Sequence, residues 1–343
     1  MLELKVPRVY NIIRVKMGGS NRSHHPHRGS MQFWPRKRAT RVLARVRNWV
    51  KKNDELKLLG FVGYKVGMTH ASYKEQNNFS KLKGKERSTA VTVIECPPLK
   101  ALSIRFYKNT NEGLKVVGEY FATKVDKEVK RKARVSKKQD VPTEFDDVRL
   151  LVYSQPKLTG TGKKTPDVLE LGISGADAQA KLEFAKNLLD KEIKVSDIFH
   201  EGQLIDIHGV TKGKGFQGTV KRYGVKRRSH KSEKTIRGIG TLGSWTPKRV
   251  EYTVAQPGKM GFHQRTEYNK LCLKISDKHK EINQDGGFLH YGVIKNDYLL
   301  IKGSVTGSAN RQVVLSEPMR KPIKFKENKP ELTYISTRSK QGR

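Results

Sequence analysis

Twelve Lys and Arg side chains lie between Thr211 and Val250, where Glu233 is the only acid. So many cations can displace counterions from closely spaced phosphates, and arginine can also fork two phosphates or stack on a base. The segment has too little apolar surface to order itself, so it is either a disordered tail or a segment that orders on a polyanion. Residues 203–210 and 269–276 alternate as strands do. Predicted strands on both sides anchor the two ends of the basic segment, which favours the second interpretation.

A second basic stretch covers residues 17–52, with ten Lys and Arg and no acid. Prolines, a glycine and two adjacent aromatic residues, of which Trp34 is the second, predict an extended arm. Such an arm would bind phosphates and stack on bases. The cluster His24, His25 and His27 is interpreted as solvated polar side chains that can also bond phosphate, since a fourth metal ligand is not in reach. Within the arm, apolar residues at helical spacing predict a short helix over residues 40–52.

The whole chain carries a net charge of +37 and has a pI of about 10.1, which makes nucleic acid the leading partner. An anionic membrane is the competing polyanion. However, no stretch approaches the about 20 apolar residues of a spanning helix. The first residues also lack the apolar core of a secretory signal, so we expect an intracellular protein.

Nucleotide hydrolysis and metal chemistry are not expected. The Gly-Lys pairs at residues 84, 162, 213 and 258 are not followed by Ser or Thr, so the phosphate-binding P-loop is excluded. Cys96 and Cys272 are far apart in sequence and are interpreted as reduced core residues. Asp206 and His208 share a strand face, which more often means structural hydrogen bonding than catalysis. We therefore expect no enzyme activity, no cofactor and no metal.

Short strands with Gly, Pro and Asn between them predict a barrel or a sandwich. Residues 60–69 predict a strand bent by glycines, and Pro97 and Pro98 are expected to join a hairpin. The charged residues 123–138 are either a solvated helix or a second RNA-facing patch. A helix is predicted over residues 176–192. Strands are predicted at 89–96, 101–107, 114–122, 148–154, 168–173, 288–294, 298–301, 312–315 and 332–335.

Six stretches, in chain order, closely resemble the archaeal and eukaryotic form of the ribosomal protein L-three family of the large subunit. They are HRGSMQFWPRKRA (27–39), GYKVGMTH (63–70), VTKGKGFQGTVKRYGV (210–225), GTLGSWTPKRV (240–250), MGFHQRTEYNK (260–270) and DGGFLHYG (285–292).

The resemblance implies a mainly β fold with an α+β insertion: a closed β-barrel of the translation-protein or SH3-like type, with long unstructured rRNA-binding extensions. It also implies direct binding to 23S-type rRNA, a part in starting subunit assembly, and loops that reach toward the peptidyl transferase centre. The implied partners are this rRNA and the ribosomal proteins L-fourteen and L-twenty-four-e, in the cytoplasmic large subunit, without a membrane or a homo-oligomer. The implied regions are a non-family extension (1–16), a basic arm (17–59), the barrel core (60–96 and 195–343), the insertion (97–194) and a central loop (211–265).

The arm and the central loop supply the predicted rRNA-binding residues, with Trp245 matching the tryptophan at the loop tip of the family. The predicted set is Arg22, His27, Arg28, Trp34, Arg36, Lys37, Arg38, Arg41, Lys212, Lys214, Lys221, Arg222, Lys226, Arg227, Arg228, His230, Lys231, Lys234, Arg237, Trp245, Lys248, Arg249, Lys259, His263 and Arg265.

Three departures from the family qualify this transfer. Residues 1–16 have no family counterpart, which favours Met17 as the start. Glu233 stands where the eukaryotic form has a methylated histidine, so the modification is not expected, and His230 is only a neighbour. The long Lys-rich eukaryotic C-terminus is missing, which favours an archaeal source.

Two other functions remain open from the residues alone. A free-standing RNA chaperone or nucleic-acid-binding regulator would carry the same basic loops but would be recovered away from ribosomes. An RNA-modifying enzyme could use the barrel as a platform, but it would need a cofactor site, and none is recognisable in the sequence.

Overall fold

The computed structural model describes residues 29–50, 55–76, 80–136, 141–246, 248–339 and 341. Its contacts divide the chain into two compact units. Met1–Pro35 and Phe216–Gly258 form what we call the basic unit, while Arg36–Gly215 and Lys259–Arg343 form what we call the β unit.

The described residues are mainly β. The α-helices are α1 (Ala178–Leu188) and α2 (Thr219–Tyr223), and short 3-10 helices cover Met31–Phe33, Lys127–Arg131, Pro156–Leu158, Val195–Asp197 and His279–Glu281. The strands are β1 (Gly60–Lys74), β2 (Glu86–Glu95), β3 (Leu99–Thr110), β4 (Gly113–Phe121), β5 (Asp147–Tyr153), β6 (Val168–Gly172), β7 (Glu192–Ile193), β8 (Leu204–Val210), β9 (Phe216–Gln217), β10 (Gly258–Lys259), β11 (Gln264–Ser276), β12 (Tyr298–Lys302), β13 (Gln312–Ser316) and β14 (Glu331–Ile335).

The larger sheet of the β unit has the order β13-β8-β11-β12-β2-β1-β14. The first half of β1 also pairs with β13, whereas its second half pairs with β14. The register of β1 against β2 shifts between Lys65 and Gly67, within the stretch that the glycines predicted to bend. One long strand therefore changes partners along its length.

A second sheet has the order β4-β3-β5-β6, and β7 pairs with β3. Helix α1 packs on this sheet through Leu182 and Ala185, as its apolar face predicted. Fully buried side chains of both sheets, including Phe61 from β1 and Leu150 from β5, belong to one hydrophobic cluster. The two sheets therefore share a core.

The helix predicted over residues 40–52 is wrong for the part that the structure describes, residues 40–50, which form no helix. Leu43 and Ala44 are buried, and Trp49 packs against the shared core. The backbone of Arg45 accepts a hydrogen bond from the side-chain amide of Gln264, at 2.5 Å. Contacts with distant residues therefore outweigh the helical spacing of the apolar residues in this stretch. Its valines are β-branched, which lowers their preference for a helix.

Glycines make room for this extended arm. An ideal Cβ at Gly60 would lie 2.8 Å from the Trp49 ring, and one at Gly172 would lie 2.6 Å from it. Side chains at either position would collide with the indole. Trp49 therefore lies over the backbone of both sheets, since Gly60 begins β1 and Gly172 ends β6.

Two further predictions are corrected. The hairpin across Pro97 and Pro98 is wrong, because β2 and β3 belong to different sheets. Proline has no N–H to donate to a ladder, and here the chain passes from one sheet to the other. The predicted strand at 288–294 is instead a turn with one isolated bridge, in which Phe288 pairs with Gly292.

The charged residues 123–136 contain one short 3-10 helix rather than a long solvated helix. Val129 in this turn is fully buried and packs with Leu102 and Leu151. The segment is therefore anchored to the second sheet, and Lys132, which directly follows the 3-10 helix, is exposed.

Both cysteines are buried and free, as predicted. Burial raises the pKa of the Cys96 and Cys272 thiols, so they are protonated at neutral pH. Among the described residues, no helix combines the length and apolar character that crossing a membrane requires.

Candidate nucleic-acid interface

The basic segment of residues 211–263 is flanked by two strands that pair with each other. β8 and β11 are antiparallel, and Val210 lies opposite Gln264. The pairing continues beyond the strands, because the Thr211 N–H donates to the carbonyl of His263 at 2.9 Å. Both ends of residues 211–263 are thus held by the larger sheet, as the flanking strand patterns predicted.

His263 fixes the arm at this place within the β unit. Its Nδ1 lies 2.8 Å from the Lys37 carbonyl oxygen, and its Nε2 accepts from the Gly261 N–H at 3.1 Å. An accepting Nε2 leaves the proton on Nδ1, which then donates to Lys37 in the neutral tautomer. The ring is buried and uses both nitrogens within the chain, so it positions the arm and is not available for a phosphate.

Arg311 holds the same region in place, although no sequence pattern predicted this role. Its Nη1 donates to the carbonyls of Val210 at 2.9 Å and Thr211 at 3.0 Å. The guanidinium carbon lies 5.4 Å from the centre of the Phe262 ring. No carboxylate among the residues that the structure describes pairs with this guanidinium, and burial lowers its pKa.

Arg36 and Arg265 place two like charges near each other in the β unit. Burial lowers the pKa of Arg265, and the charge of Arg36 lowers it further. Like charges held close together are stabilised by an anion between or beside them. The Arg265 Nη1 also donates to the Gln264 carbonyl at 2.8 Å, so part of this guanidinium is satisfied within the chain.

The basic unit contains ten Lys and Arg between residues 216 and 258, against Glu233 and Glu251. Within this unit, the Trp34 ring centre lies 6.0 Å from that of Tyr223 and 5.9 Å from that of Tyr252. The Arg222 guanidinium carbon lies 5.1 Å from the Tyr223 ring centre. An aromatic cluster therefore joins the two segments of the basic unit.

Large aromatic and apolar side chains in this unit point into solvent. Trp245 is 83% exposed and Tyr252 is 74% exposed. Lys248 holds its Nζ 5.8 Å from the Trp245 ring centre. Exposed rings beside cations are the composition of a surface on which bases stack.

Most of the predicted rRNA-binding side chains lie at the surface. The partly exposed ones are Trp34, Arg36, Arg222 and Arg265. The exposed ones are Lys37, Arg38, Arg41, Lys212, Lys214, Lys221, Lys226, Arg227, Arg228, His230, Lys231, Lys234, Arg237, Trp245, Lys248, Arg249 and Lys259. Three of the predicted residues, Arg22, His27 and Arg28, lie outside the described residues, as do His24, His25 and the extension 1–16.

Asp206 and His208 have separate structural partners. Asp206 accepts from the backbone N–H groups of Asn269 at 2.7 Å and Met319 at 2.9 Å. His208 lies 3.0 Å from the Thr266 hydroxyl and 2.9 Å from the Ser316 hydroxyl. Burial lowers the pKa of His208 to about 4, so the ring is neutral at pH 7.

No group of three or more His, Cys, Asp or Glu side chains in the described part of the chain is placed to hold a metal ion. The groups described at the interface are cations, backbone polar groups and aromatic rings.

The family model described as ribosomal protein L3 matches residues 19–143 and 138–342. The chain belongs to the ribosomal protein L3 family. The resemblance drawn from six sequence stretches is thereby confirmed. This is a family of ribosomal proteins, not of enzymes.

Archaeal members of the L3 family match nearly the whole chain. Large ribosomal subunit protein uL3 of Methanobrevibacter smithii is 46% identical over 335 residues, covering 94% of this chain and 99% of the relative. The protein of the same name from Methanocaldococcus jannaschii is 46% identical over 332 residues, covering 93% and 98%. That of Methanothermobacter thermautotrophicus is 44% identical over 336 residues, covering 94% and 99%.

Proposed function

We propose that this chain is a structural constituent of the large ribosomal subunit and binds 23S-type rRNA directly. Family membership supports the first part, because the archaeal relatives carry that role in their names. The observation that carries the second part is the dense, largely exposed positive charge of residues 216–258 in the basic unit, where ten cations accompany two acids.

The binding mechanism is charge neutralisation. Exposed cations such as Arg227, Arg228 and Lys231 displace counterions from packed phosphates and let RNA helices approach one another. The exposed Trp245 and Tyr252 rings supply faces on which unpaired bases stack. Recognition of this kind reads the shape of the RNA more than its sequence.

A closed barrel carries these extensions in this proposal. Following the pairings from β13 through β8, β11, β12, β2 and β1 returns to β13, which supports a six-stranded closed barrel. The proposed barrel core is 60–96 with 195–343, the insertion is 97–194, the arm is 17–59 and the central loop is 211–265.

The finer roles rest on family resemblance. We propose that the central loop reaches toward the peptidyl transferase centre with Trp245 at its tip, and that the protein joins the rRNA early in subunit assembly. Its proposed protein neighbours are L-fourteen and L-twenty-four-e.

The test is crosslinking and sequencing of RNA bound to the tagged protein in cells, with sedimentation of the same lysate. We expect crosslinks concentrated in large-subunit rRNA and the protein in the large-subunit peak. Crosslinks scattered over many RNAs, with the protein at the top of the gradient, would contradict the proposal and support a free-standing RNA chaperone or regulator.

A further inference from the structure

A basic groove lies in the β unit, and all of its lining residues belong to that unit. Its volume is about 660 Å³, which falls among pockets that hold whole small molecules, about 300–1,000 Å³. Four separate stretches of chain line it: residues 41–43 of the arm, Lys132, Lys163 with 165–168, and 308–312. The central loop contributes nothing to its lining.

Four cations and one acid line this groove. The cations are Arg41, Lys132, Lys163 and Arg311, and the acid is Asp167. Asp167 is already neutralised, because Lys163 lies 2.5 Å from its carboxylate, and it also accepts from the Tyr64 hydroxyl at 3.0 Å. The remaining positive charge is therefore not balanced by carboxylates of the lining.

The four cations differ in their freedom to bind a ligand. Arg311 is held by backbone carbonyls, so its position is fixed before any ligand arrives. Arg41 and Lys132 are exposed, and neither has a carboxylate within ion-pair distance in the described part of the chain. A groove lined by one rigid cation and two exposed ones without a described ion pair suits a ligand that presents several negative charges.

Neutral polar side chains complete the lining. Thr165, Ser308 and Asn310 offer hydroxyl and amide groups beside the cations. Such groups can bond phosphate oxygens and ribose hydroxyls, while the half-exposed Val42 offers an apolar contact for a sugar.

We propose that this groove binds the sugar-phosphate backbone of an RNA strand, as a contact separate from those of the basic unit. This inference rests on the proposed function, and it adds Lys132, Lys163 and Arg311 to the RNA-binding residues. A strand in the groove ties the arm to the insertion, because Arg41 and Lys132 come from those two regions. The segment 123–136 then faces RNA through Lys132, at the C-terminal end of its 3-10 helix.

The test compares the full chain with the variant Arg41→Gln/Lys132→Gln, using deproteinised large-subunit rRNA as the probe. Both side chains are exposed and serve no described ion pair, so the variant keeps its fold. The matched control is Lys81→Gln/Lys83→Gln, which removes the same charge from an exposed turn between β1 and β2. The measurement is the affinity as a function of salt concentration, by filter binding.

Loss of two phosphate contacts lowers the slope of log affinity against log salt by about 1.8 for duplex RNA or about 1.4 for a single strand. We expect that change, with affinity at least roughly ten-fold weaker in about 0.1 M salt, in the groove variant and not in the control. Crosslinks from 4-thiouridine-labelled RNA should also reach residues 163–166 and 308–310.

The contradicting outcomes are distinct. If the full chain binds rRNA but the groove variant has the slope of the control, the groove proposal fails and the proposed function stands. If the full chain does not bind large-subunit rRNA, the proposed function fails and the groove proposal fails with it. An unchanged slope with lost binding of poly-glutamate would assign the groove to an acidic protein segment and overturn the proposal.

Discussion

The second sheet of the β unit and the basic unit differ in how their positive charge is balanced. In the β unit, Arg105 pairs with Glu119 and Glu170, and Arg149 pairs with Glu170 and Asp147. In residues 216–258 of the basic unit, ten cations accompany two acids. Arg105 and Arg149 thus satisfy their charges within the protein. The cations of residues 216–258 outnumber the acids of that segment five to one and repel one another unless an anion is bound.

The two units also differ in what they bury. The β unit buries a core shared by two sheets, with side chains such as Phe61 and Leu150 fully inaccessible. In the basic unit, Trp245 and Tyr252 remain largely exposed. The β unit therefore buries the apolar surface that offsets the entropy of ordering its chain, whereas Trp245 and Tyr252 add little apolar burial to the basic unit.

The same substitution in both units should give the largest contrast. Leu150→Ala empties space in the shared core and should lower the free energy of unfolding by about 2–5 kcal/mol. Leu242→Ala, at a side chain that is 53% exposed in the basic unit, should change it by less than about 0.5 kcal/mol. Denaturant unfolding measures both. Equal losses would mean that the basic unit has a core of its own.

Removing charge from the basic unit should separate binding from folding. Arg227→Gln/Arg228→Gln/Lys231→Gln should reduce the salt slope of rRNA binding by about 2.7 on duplex RNA. The free energy of unfolding should stay the same or rise slightly, because self-repulsion is relieved. Filter binding and denaturant unfolding check the two effects.

The matched control for this charge removal is Lys81→Gln/Lys83→Gln/Lys115→Gln, at exposed positions of the β unit. It should leave the slope nearly unchanged. A control that weakens binding as much as the basic-unit variant would show that total charge, and not its location, sets the affinity.

Acidification should destabilise the β unit through the protonation of His208. The unfolded ring takes up a proton near pH 6.5, but burial keeps the folded ring neutral until about pH 4. The unfolded state therefore binds more protons in this window, and acidification from pH 7 to pH 4 should cost up to about 3 kcal/mol of stability. Below about pH 4 both states are protonated and the loss is complete.

The variant His208→Gln removes this titration and should flatten the pH dependence between 7 and 4, although it starts less stable. Asp206, whose pKa burial raises, contributes with the opposite sign and is common to both proteins. His230→Gln, at an exposed position of the basic unit, should leave the curve unchanged. Parallel curves for wild type and His208→Gln would contradict the assignment.

Trp245→Ala should have the smallest effect on the protein itself. The ring is 83% exposed, so the free energy of unfolding should change by less than about 0.5 kcal/mol. One tip aromatic adds little to a large interface, so subunit abundance should also be preserved, while peptidyl transfer or factor binding by the purified subunits should be altered. A variant that cannot assemble subunits would contradict this expectation.

Trp49→Ala is the contrasting tryptophan substitution, because it removes a ring packed on the shared core. It should lower the free energy of unfolding by about 3–5 kcal/mol.

The difference between the units also explains what the sequence could predict. Local patterns sufficed for α1, whose apolar face repeats every three or four residues, and for most of the strands. They failed for residues 40–50, where Gln264 of a distant strand satisfies the backbone of Arg45. They failed again at Pro97 and Pro98, because a turn composition does not reveal which sheet the next strand joins.

The candidate interface shows the same limit. Its charge and its tip aromatic are visible in the composition, and most of its cations are exposed. The positioning role of His263 is not visible, because its partner Lys37 lies in another region of the chain. The groove around Lys132 and Arg311 is likewise assembled from distant stretches. Charge can be predicted from composition, but its arrangement requires the fold.

Hydrogen exchange of the full chain, with and without large-subunit rRNA, tests the contrast between the units most directly. We predict that core amides of β5 and β8 are protected in both states. Amides of residues 216–258 should exchange rapidly in the free protein and become protected when rRNA is bound. Protected amides in this segment without RNA, or no change when RNA binds, would contradict the account.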